Sequence, residues 1–239
     1  MPEPGATAMG LLLRRRAAAE TEQMDRPDCD PGILDNTYRQ FMVINRVLSG
    51  WRQLYARELR TIHKADQSPV TVLDIGSGGG DLPVMLSRWA ARDGNALHIT
   101  GIDPDPRAAA FARGRPATPG VEFRQAHSAE LVREGARFDV VISNHVLHHL
   151  APDELRQLLA DSEVLAVRKS LHNDLVRSPA AFALFSVAAL PFRHSFIRQD
   201  GLTSIRRSYR PAELAAAAPP AWSVGKSSAF HQVLSFRRD

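Results

Sequence analysis

Cysteine is nearly absent, Cys29 being the only one in 239 residues. That excludes an intrachain disulfide and a cysteine-rich metal centre, and a lone thiol suits a reducing compartment. Lysine is scarce too. Lys64, Lys169 and Lys226 are the only ones, so the formal charge of +4 rests almost wholly on arginine. Guanidinium stays charged far above neutral pH, so the pI near 9.7 overstates how basic the surface is at pH 7. Arg14-Arg15-Arg16 and Arg206-Arg207 are short runs without interleaved aromatics, and nucleic acid is not an expected partner. Long apolar runs are missing: the longest, Ala180 to Phe192, falls short of the roughly 20 residues that span a bilayer. Met9 to Leu13 precedes its arginines, the reverse of a secretory signal. A cytoplasmic protein without a membrane span is expected.

What remains is an ordinary globular composition, 44% hydrophobic and 23% charged, long enough for one core plus a cap. Residues 1–10 are Pro/Gly/Ala-rich and expected to be disordered, leading into a helical block over 11–66. One helix is expected from Leu11 to Met24 and a second from Ile33 to about His63, kinked or split at Gly50. Residues 67–239 form the expected core. Strand and helix alternate there, with strands at Val70–Ile75, Leu97–Ile102, Val121–Gln125 and Phe138–Ser143, which argues for a doubly wound parallel sheet. A fifth strand is expected over Lys169–Asp174, although Lys-Ser-Leu-His-Asn-Asp is poor strand material. An apolar helix over Ala180–Leu190 begins a cap insertion of about 176–210, whose Pro191–Ser208 part is polar and Arg-rich. A short helix over Pro211–Ala217 and an antiparallel pair, Trp222–Lys226 with Phe230–Phe236, close the chain.

The stretch organising the core is Val70 to Leu82. A β-branched run ends in Asp74, and glycine at positions 76, 78, 79 and 80 leads into a helical pattern that Asp81 is expected to cap. Such a loop lets backbone approach a ligand closely. Asp103, at the end of the second strand, is placed to accept both hydroxyls of a ribose. Asp74-Ile75-Gly76-Ser77-Gly78-Gly79-Gly80 resembles the first motif of class I S-adenosylmethionine (SAM)-dependent methyltransferases. The dinucleotide pattern Gly-x-Gly-x-x-Gly would need glycine where Asp81 stands. Phe138 to Leu150, ending Asn144-His145-Val146-Leu147-His148-His149-Leu150, is similar to that family's segment after strand four.

The resemblance implies a Rossmann-like, doubly wound seven-stranded α/β sheet with an N-terminal helical cap and an insertion after strand five. It implies SAM as cofactor, with S-adenosylhomocysteine as product, bound through Asp74, Gly76, Ser77, Gly78, Gly80, Asp103, Pro104, His127, Ser128, Asn144 and His145. Where relatives place an acid for the adenine amino group this chain has His127, with Glu130 as a substitute. Plant-type O-methyltransferases carry a general base in the turn after strand four, and His148 falls there, with His149 as the alternate. Further likeness to bacterial polyketide- and quinone-pathway methyltransferases implies a small lipophilic aromatic acceptor. Tyr38, Phe41, Phe182, Phe185 and His194 are the candidate pocket residues. The acceptor atom is expected to be oxygen. Carbon, nitrogen, RNA or protein acceptors and a non-catalytic SAM-binding protein remain alternatives. No metal ligands stand out from spacing, and the long amphipathic N-terminal helix is compatible with a homodimer.

Overall fold

Val70–Ile75 forms β1, flanked on its two sides by β2 (Leu97–Asp103) and β4 (Phe138–Asn144), both parallel to it. The computed structural model describes residues 12–63, 66 and 68–238, so the expected disordered stretch 1–10 lies outside the described residues. β3 (Val121–Gln125) extends the sheet beyond β2, and β5 (Ala166–Leu175) extends it beyond β4. β6 (Ser223–Lys226) and β7 (His231–Arg237) complete a seven-stranded sheet of order β3-β2-β1-β4-β5-β7-β6, with β7 antiparallel to both neighbours. Side chains of β1 alternate between faces. Val70 and Val72 pack with Trp51, Leu86 and Trp89, whereas Leu73 and Ile75 pack with Leu131, Leu155 and Leu159. The strand order reverses between β1 and β4, and there the C-terminal ends of the strands open a crevice suited to a ligand.

Several elements differ from expectation for local reasons. The helix expected from Leu11 to Met24 is replaced by turns from Leu13 onward. Backbone N–H groups there find distant partners instead: Ala17 donates to the Arg206 carbonyl, and Gln23 and Met24 donate to the Asp200 carboxylate at 2.7 and 2.9 Å. The second expected helix divides at Gly50, as anticipated. It becomes α1 (Pro31–Leu48), α2 (Trp51–Leu54) and a π-helical turn, Tyr55–Leu59. Gly50 has φ +74°, and a Cβ there would stand 2.9 Å from Ser228 Cβ. Asp81 opens α3 (Asp81–Arg92) as its first residue, the cap itself being left-handed Gly80. α4 (Pro106–Arg113) follows β2, α5 (Ser128–Arg133) follows β3 and α6 (Pro152–Leu165) follows β4.

After β5 come α7 (Pro179–Ala188), α8 (Ile197–Arg207) and α9 (Pro211–Ala217). The polar, Arg-rich stretch, in which no element is expected from sequence, thus holds α8. Its internal Gly201 weakens the helical signal but is required, since a Cβ there would overlap the Phe185 ring. α1 joins this insertion to the glycine loop. Its Tyr38 abuts Gly79 and packs at a tilt on Phe111, with ring centroids 5.0 Å apart, while Ile44 packs with Ala189 and Ile197.

β5 runs longer than expected and is polar where it is most buried. Ser170, His172, Asn173 and Asp174 are all enclosed, and each has hydrogen-bond partners. His172 Nδ1 meets Ser143 Oγ at 2.8 Å, and the ring stacks on Trp222. Burial holds this imidazole down to about 3. An imidazole that titrates near 3 in the fold and near 6.5 unfolded supports the fold fully above pH 6.5. That support is lost as pH falls toward 3, at up to about 1.4 kcal/mol per pH unit. His172→Gln keeps a partner for Ser143 and does not titrate. Denaturant unfolding between pH 6 and 5 should therefore show wild type losing about that much more stability than the variant. Parallel profiles would overturn the assignment.

Candidate active site

The glycine loop after β1 is shaped by what surrounds it. Gly76 and Ser77 donate to the Ile102 carbonyl at 2.8 and 2.9 Å, tying the loop to β2. Gly76 and Gly80 have positive φ, and a Cβ on them would overlap Val146 and Phe123. Gly78, at φ +53°, has nothing within 4 Å of that position, so its bare backbone faces open space. Gly78 N–H donates to Asp103 Oδ2 at 2.9 Å, and Asp105 N–H donates to Asp103 Oδ1 at 2.9 Å. Each Asp103 oxygen keeps an acceptor site, which suits a diol.

Beneath the loop, Asp74 is 1% exposed, and its Oδ1 has no hydrogen-bond partner. Burial holds its carboxyl well above the usual range, with Asp81 and Asp103 adding repulsion. Burial raises Asp81 and Asp103 as well. Asn45 Nδ2 donates to Asp81 Oδ2 at 2.9 Å, so α1 holds the third acid of the set. An orphaned buried acceptor, a glycine cradle and three neighbouring acids fit a ligand carrying an ammonium, a sulfonium and a ribose, as SAM does.

The turn after β4 is built from unlike parts. Asn144 Oδ1 accepts from Trp51 Nε1 at 2.9 Å and from Asn173 Nδ2 at 3.0 Å, so its side chain braces the turn. His145 has φ +59°, and its Nε2 lies 3.0 Å from His231 Nε2 on β7. His148 and His149 sit in a 3-10 turn, Leu147–His149, with ring centroids 4.3 Å apart. His148 is 1% exposed; Asp174 Oδ1 lies 2.7 Å from its Nδ1, and Asp174 Oδ2 accepts its backbone N–H at 2.8 Å. Its Nε2 points toward Glu22 Oε1 at 3.4 Å. Burial disfavours the charged ring, but Asp174 and Glu22 outweigh it and hold His148 above the ordinary histidine value. His149 is more open, with Nδ1 3.1 Å from Asp25 Oδ2. Val146, at the head of this turn, lies against Gly76, so the histidine pair follows directly on a residue that borders the glycine loop.

The other expected site residues are more scattered. His127 is exposed and caps α5; Glu130 accepts its backbone N–H at 2.8 Å and is thereby committed to the cap. Ser128 Oγ donates to Asp161 at 2.6 Å, and the Pro104 carbonyl accepts from Gln125. Phe41 and Phe185 pack together around Ile44, Phe182 is half-buried on α7, and His194 is exposed at φ +51° with its carbonyl accepting from Asn36. Glu22, Asp25 and Asp174 went unremarked as site residues. Glu22 and Asp25 lie more than a hundred residues before the histidines, and only the fold brings them together.

Residues 72–167 match a family model described as a methyltransferase domain. The ubiquinone biosynthesis O-methyltransferase of Azorhizobium caulinodans is 33% identical over 136 residues, 56% of this chain and 49% of that one. The protein of the same name from Xanthomonas oryzae pv. oryzae is 32% identical over 157 residues, 64% of this chain and 62% of that one. The chain thus spans about half the length of the curated relatives it matches. Among solved structures, the plantazolicin methyltransferase BpumL in complex with a pentazolic analogue and SAH superposes with TM-score 0.60 at 12% identity, covering 98% of this chain and 99% of that one. Human N-acetylserotonin methyltransferase in complex with SAM gives 0.57 at 17% identity, covering 84% and 54%. Residues 72–167 thus match a methyltransferase domain, and they carry β1 to β4 of the seven-stranded sheet, the glycine loop and the histidine turn.

Proposed function

We infer that the protein transfers the methyl group of SAM to an oxygen of a small lipophilic phenol or quinol. The observation that carries this reading is the Gly76–Gly80 cradle, with Asp74 orphaned beneath it and Asp103 at its rim, bordered by the His148–His149 turn. The names of the ubiquinone biosynthesis relatives favour a quinol-type acceptor and oxygen as the methylated atom.

When bound, SAM supplies an already activated methyl group on sulfur, so the work left to the protein is alignment and exclusion of water. Asp103 would accept the ribose hydroxyls and Asp74 the ammonium. Tyr38, packed on Gly79, covers the loop from α1. At the acceptor side His148 is pinned by Asp174 and is a positioning group, whereas His149 is the more open ring and the better placed to receive an acceptor proton. Cytoplasmic residence fits the single cysteine, and among the described residues no helix is long and apolar enough to cross a membrane.

Purified protein incubated with SAM and a panel of catechols and hydroquinones should yield O-methyl ethers by mass spectrometry, together with S-adenosylhomocysteine. Methylation confined to nitrogen or carbon acceptors would overturn the oxygen assignment, and failure to bind S-adenosylhomocysteine would overturn the reading as a whole.

A further inference from the structure

His148, His149 and Glu22 converge, with Arg207 Nη1 3.7 Å from the same Glu22 oxygen on another side. One ligand atom from each of the three lies within 4.8 Å of the other two, and Glu22 Oε1 stands 3.4 Å from His148 Nε2 and 3.7 Å from His149 Nε2. Tetrahedral ligands at zinc bond lengths stand about 3.4 Å apart. The far nitrogens of both rings are committed elsewhere. Asp174 holds His148 Nδ1 at 2.7 Å, and Asp25 holds His149 Nδ1 at 3.1 Å. A carboxylate on Nδ1 orients an imidazole and leaves the Nε2 lone pair for a cation, as in the carboxylate–histidine–zinc arrangement. His148 Nε2 is enclosed and has no hydrogen-bond partner. Glu22 is 3% exposed, and Ser204 Oγ donates to its Oε1 at 2.9 Å, which fixes the carboxylate against the rings.

We propose that His148, His149 and Glu22 form a binding site for one divalent transition-metal ion of the zinc type. Two imidazoles and a carboxylate are a borderline donor set that suits zinc or cobalt better than magnesium, which takes oxygen ligands and keeps its waters. Three protein donors leave a fourth position, as catalytic rather than closed structural zinc sites do. That position is open to water or to an acceptor hydroxyl, whose acidity coordination would raise. Metal binding stands on the donor geometry. Use of the ion by an acceptor oxygen rests on the methyl-transfer reading, and with the ion bound both His149 nitrogens are committed, so coordination takes the place of His149 in easing loss of the acceptor proton.

The test is a titration of the full, chelator-treated chain with cobalt(II). The expected result is one equivalent bound, with the visible bands of a tetrahedral ion, and loss of those bands when zinc is added. His149→Gln removes a half-open ligand and should weaken cobalt binding at least 100-fold. Asp25→Asn removes only a carboxylate behind the ring and should weaken it about 10- to 100-fold. Circular dichroism and Tm report whether each variant is folded. The proposal is overturned if wild type shows no cobalt bands, or if folded His149→Gln binds cobalt as tightly as wild type. Calorimetry with S-adenosylhomocysteine on the metal-free protein separates the two readings, since cofactor binding without metal binding sinks only the metal site, and the converse sinks only methyl transfer.

Discussion

Asp103→Asn should weaken S-adenosylhomocysteine binding by about two orders of magnitude while leaving Tm unchanged or higher. Two charge-assisted bonds to ribose, each worth about 1.5–3 kcal/mol in this setting, account for a loss of that size. The stability part follows from the ligand-free protein. Asp103 is half-buried, burial holds its carboxyl above the usual range, and its present partners are two backbone N–H groups. An amide oxygen can still accept one of these, and the substitution removes a charge that burial disfavours. Asp74→Asn should behave alike, since Oδ1 has no partner to lose. The pairing of tighter folding with poorer binding separates a ligand site from a structural network, in which removing an acid lowers both. Calorimetry and thermal melting on the same preparations check it. A drop in Tm of several degrees with unchanged affinity would show that Asp103 serves the loop and not a ligand.

The loop and the parallel strands were legible because their signals are local. β1 and β3 occupy the expected residues, and β2 and β4 each run one residue further, because β-branched runs and glycines act over a few positions. β5 was nearly lost. Its hydrophobic signal is replaced by Ser170, His172, Asn173 and Asp174, whose partners Ser162, Ser143, Asn144 and His148 belong to other elements. α8 was hidden for a related reason, because Gly201 answers to Phe185 in α7 and not to its own helix. The histidine pair was visible in sequence and its surroundings were not. Spacing marks His148 and His149, but Asp25 and Glu22 reach them along a segment with no regular structure, whose path is set by side chains far away.

Arg177 is a buried anchor of this segment, shared with Arg210 at the Leu13 carbonyl, and Arg177→Met should destabilise the protein by about 2–3 kcal/mol, the cost of leaving a buried acceptor unpaired. Its guanidinium is fully enclosed: Nε donates to the Leu13 carbonyl at 3.1 Å, and Nη1 donates to the Ser208 carbonyl at 2.6 Å. Nη2 reaches Glu213, which is partly exposed and can recover water. The cost therefore falls mainly on the Ser208 carbonyl at the end of α8, since the Leu13 carbonyl also accepts from Arg210 Nη2 at 2.9 Å. Arg177→Lys should not restore the loss, because an ammonium on a flexible stem cannot reproduce a planar fork that serves three acceptors. Arg16 makes the next link along the same segment, donating to the carbonyls of Arg207, His148 and Leu150. Loosening Leu13 thus frees the chain that carries Glu22 and Asp25 to the histidines. Limited proteolysis should cut the Arg177→Met chain between residues 13 and 29 under conditions where wild type resists. If the variant unfolds as one cooperative unit at lower denaturant with no early cut in that segment, Arg177 supports the core as a whole and not the segment.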